Sequence, residues 1–191
     1  HITEIHHFDT WHQDVRCFAV TDSLQSRISY FYIDLYTRDN KRGGAWMDDC
    51  CNRRINAENT IEVPITFITC NFTPPSADTP ALLSHNGVIT VFHEFGHATQ
   101  HMLTQINDLG ASGLNGIPWD AVEIASQFLE NYAWEKEPLL ELSCHYKTAH
   151  PIPSSLFQKM QRAKNFQSAM IMIRQLEFAL FDFRLHVEFD P

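Results

Sequence analysis

His93, Glu94 and His97 are the residues in this chain whose types and spacing most directly imply chemistry, in the run His93-Glu94-Phe95-Gly96-His97. Positions i and i+4 lie on one face of a helix, about one turn apart. Two imidazoles so placed converge on one metal ion, with zinc–nitrogen distances of about 2.0–2.1 Å. Glu94 is adjacent to the first histidine, so its carboxylate reaches a water at that ion without ligating it. The chemistry implied is metal-assisted hydrolysis.

A catalytic zinc of this type takes a third protein ligand and keeps one open position. His101 continues the helical stripe, but eight residues separate it from His93, about 12 Å along a helix axis. It is therefore expected at the surface or supporting the ligands. A longer pattern ending in a third histidine is excluded, because Gln100 stands where that pattern needs glycine. The better candidates follow downstream. Asp120, Glu123, Gln127 and Glu130 recur at steps of three, four and three, along one face of an expected second helix. Trp119, Val122, Phe128, Leu129 and Trp134 flank them, so this helix is expected to be largely buried, and buried carboxylates need partners. Spacing alone leaves Asp120, Glu123 and Glu130 open.

The elements that must position these groups are legible in outline. Residues 15–20, 27–36 and 63–72 are rich in β-branched and aromatic residues and predict three strands of a small antiparallel sheet, with Pro64 at a strand entry or edge. Thr21-Asp22-Ser23 is a turn signal between the first two. Residues 38–49, with Gly43 and Gly44, read as a loop, and 73–80 as a second one stiffened by three prolines. From about Asn86, apolar residues at helical spacing predict a helix reaching towards Ile106. The glycine-rich stretch 108–118 breaks it and lets the second helix, 119–134, fold back. Within that stretch Gly113 and Gly116 either line a substrate cleft or serve as a plain connection. Pro138 suits the start of a short third helix. Ser154 or Ser155 caps a further one. Phe166, Met170, Ile173, Leu176, Leu180, Phe183 and Val187 mark a long amphipathic last helix.

The chain has 191 residues, 44% hydrophobic and 19% charged, with a net charge of −9. These values describe a soluble domain with a real core and give no electrostatic basis for binding nucleic acid or an anionic membrane. No apolar run approaches a membrane span and no signal peptide is evident. The five cysteines include no C-x-x-C pair, which disfavours a cysteine zinc site and fits reduced thiols in a cytoplasm. A first residue other than Met and an end directly after a helical pattern suggest a piece of something longer.

The segments HEFGHATQHM and SGLNGIPWDAVEIASQFLENYAWE resemble the catalytic core of the thimet oligopeptidase and oligopeptidase A family of zinc metallopeptidases. FYIDLYTRDNKRGGAWMDDC and AKNFQSAMIMIRQLEFALFDFRLHVEF resemble it too, so the likeness runs from about His12 to Phe189. The resemblance implies one zinc ion held by His93, His97 and Glu123, with Glu94 as the catalytic base and Glu130 orienting a ligand histidine. It implies an α+β, mainly helical, zincin-like core, with a small antiparallel sheet preceding the metal-binding helix. It also implies cleavage of short peptides; a monomer is expected. Ala98-Thr99-Gln100 and Ala125 depart from the family pattern without touching a ligand. The family's downstream His/Tyr element and its long helical N-terminal region are absent from these residues. Residues 1–191 are thus expected to be a single region, part of a larger catalytic domain. The alternative is a non-catalytic, zinc-stabilised fragment.

Overall fold

The computed structural model describes residues 1–188; Phe189, where the resemblance ends, lies outside the described residues. Residues 1–139 and those from 140 onward form two compact units.

The first unit is a sheet with a helix laid on one face. Strands β1 (Ile2–Ile5), β2 (Arg16–Thr21), β3 (Arg27–Tyr36), β4 (Trp46–Cys51) and β7 (Ile65–Phe72) form it, in the order β1-β2-β3-β7-β4. Strands β5 (Arg54–Ile55) and β6 (Ile61–Glu62) make a separate two-stranded ribbon. The turn from β2 to β3 forms as the sequence suggests. Asp22 accepts hydrogen bonds from the Leu24 and Ser26 backbone N–H groups, both at 2.8 Å, in an Asx-type turn.

The sheet is mixed, which corrects the expectation of an antiparallel one. β3 and β7 run parallel, while β1–β2, β2–β3 and β4–β7 are antiparallel. The reason is the long connection 37–64. It carries the chain out through β4 and the β5–β6 ribbon before β7 enters at the same end as β3, between β3 and β4. A buried cation fixes the far ends of this parallel pair. Lys41 Nζ donates to the Asp34 carboxylate at 2.7 Å, and to the backbone carbonyls of Asp34, Tyr36 and Cys70 at 3.0, 2.8 and 2.6 Å. The expected loop 38–49 therefore ends in a strand, β4, whose hydrogen-bonding partner its composition does not reveal.

Alternation along the strands sorts two cores. Val20, Phe31, Ile68 and Cys70 pack under the helix with its Ala98 and Met102. Val15, Cys17 and Tyr32 form the opposite cluster. The helix α1 (His85–Met102) starts at Ser84, whose hydroxyl accepts from the Gly87 N–H at 3.1 Å. It ends at Met102, short of Ile106, and its Phe95 ring meets Phe31 edge-on, with ring centroids 5.6 Å apart.

Residues 119–134 are not one helix. A turn after Pro118 precedes α2 (Ile124–Glu130), and a 3-10 turn, Asn131–Trp134, follows it. Nor is α2 largely buried: only its Ser126 is, while Trp119 is 92% and Phe128 62% exposed. The segment touches α1 along one side, so Trp119, Ile124, Phe128 and Tyr132 stay exposed. Helix α3 (Lys136–Leu142) follows.

The second unit contains α4 (Ser154–Lys164), which begins directly after Pro153, and α5 (Ser168–Glu188). Neither has a buried residue. Among the described residues no helix is long and apolar enough to cross a membrane.

Candidate metal centre

Helix α1 presents His93 and His97 on one flank, while Phe95, Ala98 and Met102 turn towards the sheet. What brings a third group to that flank is a close helix crossing at Gly96. A Cβ placed on Gly96 would lie 2.4 Å from Ser126 Cα, 2.6 Å from the Ala125 carbonyl and 2.8 Å from the Ser126 nitrogen. Only glycine lets α2 approach this closely. A second tie lies one end away, where His85 Nε2 meets the Ala133 carbonyl at 2.8 Å and the ring packs edge-on against Trp134.

The crossing delivers Glu123, the residue immediately before α2. One carboxylate oxygen, Oε2, lies 3.2 Å from His93 Nε2 and 3.2 Å from His97 Nε2. Ligands 2.0–2.1 Å from a tetrahedral ion are separated by about 3.3–3.4 Å, so three donors at these separations fit one zinc-sized ion. Among the described residues this trio is the one group of three such side chains whose donor atoms converge. The fit is chemical as well as geometric, since two imidazoles and a carboxylate suit zinc. The side chains of His93, His97 and Glu123 are 27%, 12% and 46% exposed, leaving a solvent-facing side for a fourth position.

The surroundings prepare these donors. Ser126 donates its hydroxyl proton to Glu123 Oε2 at 2.6 Å. That bond, helped by the nearby histidines, holds the Glu123 carboxyl below its ordinary range, so it is ionised. Burial pushes the His97 imidazole down, keeping it neutral with a free lone pair. His93 Nδ1 lies 2.7 Å from Glu130 Oε1. An ionised carboxylate only accepts, so Nδ1 carries the proton and Nε2 is left free to ligate.

Glu94 is 7% exposed. Burial raises its carboxyl pKa, and the Glu123 charge pushes the same way. His93 and the Met47 backbone N–H oppose them, and the net shift is upward. A carboxylate with a raised pKa beside an ion site is equipped to accept and return a proton.

The structure therefore brings together His93, Glu94, His97, Glu123 and Glu130, and leaves Asp120 exposed in the turn before α2. Gly113 and Gly116 lie in the 108–117 loop with φ of +68° and +74°. Gly113 packs against the ring of His101. His101 itself is fully buried, which corrects the surface placement. Sequence reasoning missed Ser126 and Gly96. A glycine in mid-helix was the available signal, since it weakens a helix by about 1 kcal/mol relative to alanine unless something must approach it.

Residues 1–191 match the family described as Peptidase family M3. The chain is 54% identical over 183 residues to oligopeptidase A of Escherichia coli (strain K12), covering 96% of this chain and 27% of that protein. It is 42% identical to the chloroplastic/mitochondrial organellar oligopeptidase A of Arabidopsis thaliana, covering 95% and 23%. It is 37% identical to saccharolysin of Saccharomyces cerevisiae, covering 92% and 25%. The chain spans about a quarter of the length of these curated relatives.

Proposed function

The chain belongs to peptidase family M3, and on that premise we propose that it is the metal-holding core of a longer, zincin-like peptidase that hydrolyses short peptides. The observation that supports this most is the pair of 3.2 Å separations between Glu123 Oε2 and the two histidine Nε2 atoms. His93, His97 and Glu123 would hold one zinc ion. When bound, zinc supplies Lewis acidity towards a carbonyl oxygen and lowers the pKa of water in its coordination shell to about 7.

The chain's own residues do the rest. Glu94 takes a proton from the attacking water and passes it to the leaving amine nitrogen. Its burial suits both halves, because a raised pKa lets it hold the proton between them. Glu130 fixes the ring orientation of His93, and Ser126 fixes the Glu123 carboxylate. Strand β4 is the outer strand of its sheet beside α1. Its outer main-chain edge offers hydrogen bonds to an extended peptide. The 108–117 loop, with Gly113 and Gly116, lines the same cleft. The five free cysteines suit a reducing compartment, so a cytoplasmic, monomeric enzyme completes the reading.

In the full-length parent, Glu94→Gln abolishes hydrolysis of a short quenched-fluorescence peptide while one zinc per chain is retained. Turnover at the wild-type rate by that variant would remove Glu94 from the mechanism. The coverage of about a quarter of each relative favours a second reading for the isolated 191 residues. In it, zinc binds and stabilises the chain but no peptide is cleaved. Parallel assays of the isolated chain and of the parent separate the two.

A further inference from the structure

His101 has no part in the proposed metal chemistry, yet it is 0% exposed. A buried imidazole needs partners. Its Nε2 lies 3.0 Å from the carbonyl oxygen of Cys51, the last residue of β4. Facing a carbonyl, Nε2 must carry the proton, which leaves Nδ1 as an acceptor. The Nδ1 side faces the 108–117 loop. A Cβ built on Gly113 would lie 2.3 Å from Nδ1 and 3.2 Å from Asn52 Oδ1. His101 Nδ1, Asn52 Oδ1 and the hydroxyl of fully buried Ser112 are all buried without a protein partner. Three polar atoms are thus gathered where the last turn of α1, the end of β4 and the glycine loop meet.

In the peptidase reading above, these three elements frame the peptide groove. Helix α1 carries His93, Glu94 and His97. β4 has Met47 beside Glu94, and Cys51 four residues on, about 13 Å along the strand. From Glu94 to His101 is about 10 Å along the helix. The edge strand is therefore tethered to α1 at His101, well away from the point where Met47 stands beside Glu94. This tether also sets the position of the loop at Gly113.

Resting on the peptidase reading above, we propose that His101 is a positioning residue: it locks the free-edge strand β4 and the Gly113 loop to the metal-binding helix, and so sets the geometry of the peptide groove. It touches neither metal nor peptide. Its loss loosens the groove walls and leaves the ligand trio in place, because His97 and His93 lie about one and two turns away on α1 and Glu123 is held by the α2 crossing at Gly96.

The test uses the full-length parent with zinc bound. His101→Ala raises KM for a short peptide about tenfold, the effect of losing one buried hydrogen bond. kcat changes by less than about twofold, and zinc content stays at one per chain. His101→Gln recovers most of the KM, because its amide N–H reaches the Cys51 carbonyl. An unchanged KM in His101→Ala overturns the proposal, and so does a fall in kcat and zinc content with no change in KM. A second measurement needs no activity. Gly113→Ala places its methyl against the His101 ring, so it lowers Tm less in a His101→Ala background than in the wild type. Equal losses in both backgrounds refute the packing on which the proposal depends. If the wild-type parent cleaves no peptide, the peptidase reading fails, while the Tm comparison still decides the His101 contact.

Discussion

Gly96→Ala is the substitution that most sharply separates site geometry from fold stability. The added Cβ would stand 2.4 Å from Ser126 Cα and within 2.8 Å of two further backbone atoms of α2. Carbon atoms pack at about 3.5–4.0 Å, so α2 must retreat by about 1 Å or more. Such overpacking costs about 1–3 kcal/mol, and replacing a mid-helix glycine by alanine returns about 1 kcal/mol. The net loss of stability in the metal-free protein is therefore small, about 0–2 kcal/mol. The site fares worse, because Glu123 and Ser126 move with α2, and metal sites tolerate displacements of only about 0.2 Å. We expect zinc affinity to fall by about 10- to 100-fold, the range seen when groups supporting a ligand are disturbed. Competition titration with a chromophoric chelator measures the affinity, and thermal unfolding of the metal-free protein measures the stability. Wild-type zinc affinity in Gly96→Ala would refute the claim that this crossing positions Glu123.

Ser126→Ala removes the 2.6 Å hydrogen bond to Glu123 Oε2. That bond is the main cause of the lowered Glu123 pKa, so in the variant the carboxyl protonates at higher pH. Zinc is then released at a higher pH on acid titration, and an unchanged release profile would contradict the assignment. Asp34→Asn leaves Lys41, 6% exposed, without its carboxylate partner. Stranding a buried charge costs about 3–5 kcal/mol, read at pH 7 from the urea midpoint. The pH dependence has a definite sign. Burial alone would raise the Asp34 carboxyl, but Arg38, Lys41 and Trp11 overturn this and hold it well below the usual carboxylate range. Its contribution is therefore full above the unfolded value of about 3.9 and is lost as pH falls through the folded value. The gap between wild type and variant should thus begin to close only below about pH 4.

The two histidines and Glu94 were legible because their relation is local: four residues make one helical turn. Strands β2, β3 and β7 were legible from composition, and the entry of β7 after Pro64 followed from the missing N–H. The parallel pairing of β3 with β7 was not, since it depends on where the connection 37–64 returns and on the Lys41 clamp across it. Spacing could not choose among Asp120, Glu123 and Glu130, because the face argument assumed a helix from Trp119. The backbone turns after Pro118 instead, and helical geometry begins only at Ile124. His101 was set aside as a ligand by its distance from His93, yet its burial was hidden. Its partners at Cys51 and Gly113 lie on other elements and share no local pattern with it. Gly96 shows the same limit, for its neighbour in space is thirty residues away in sequence.

The central claim is that His93, His97 and Glu123 hold one catalytic zinc ion. X-ray absorption at the zinc edge on the purified, zinc-loaded protein tests it most directly, with each of the three residues replaced by alanine in turn. We expect one zinc per chain, with two imidazole nitrogens at about 2.0–2.1 Å and a carboxylate oxygen at about 2.0–2.2 Å, and loss of the matching scatterer in each variant. Sulfur scattering at about 2.3 Å, or an unchanged spectrum in the Glu123→Ala variant, would contradict it.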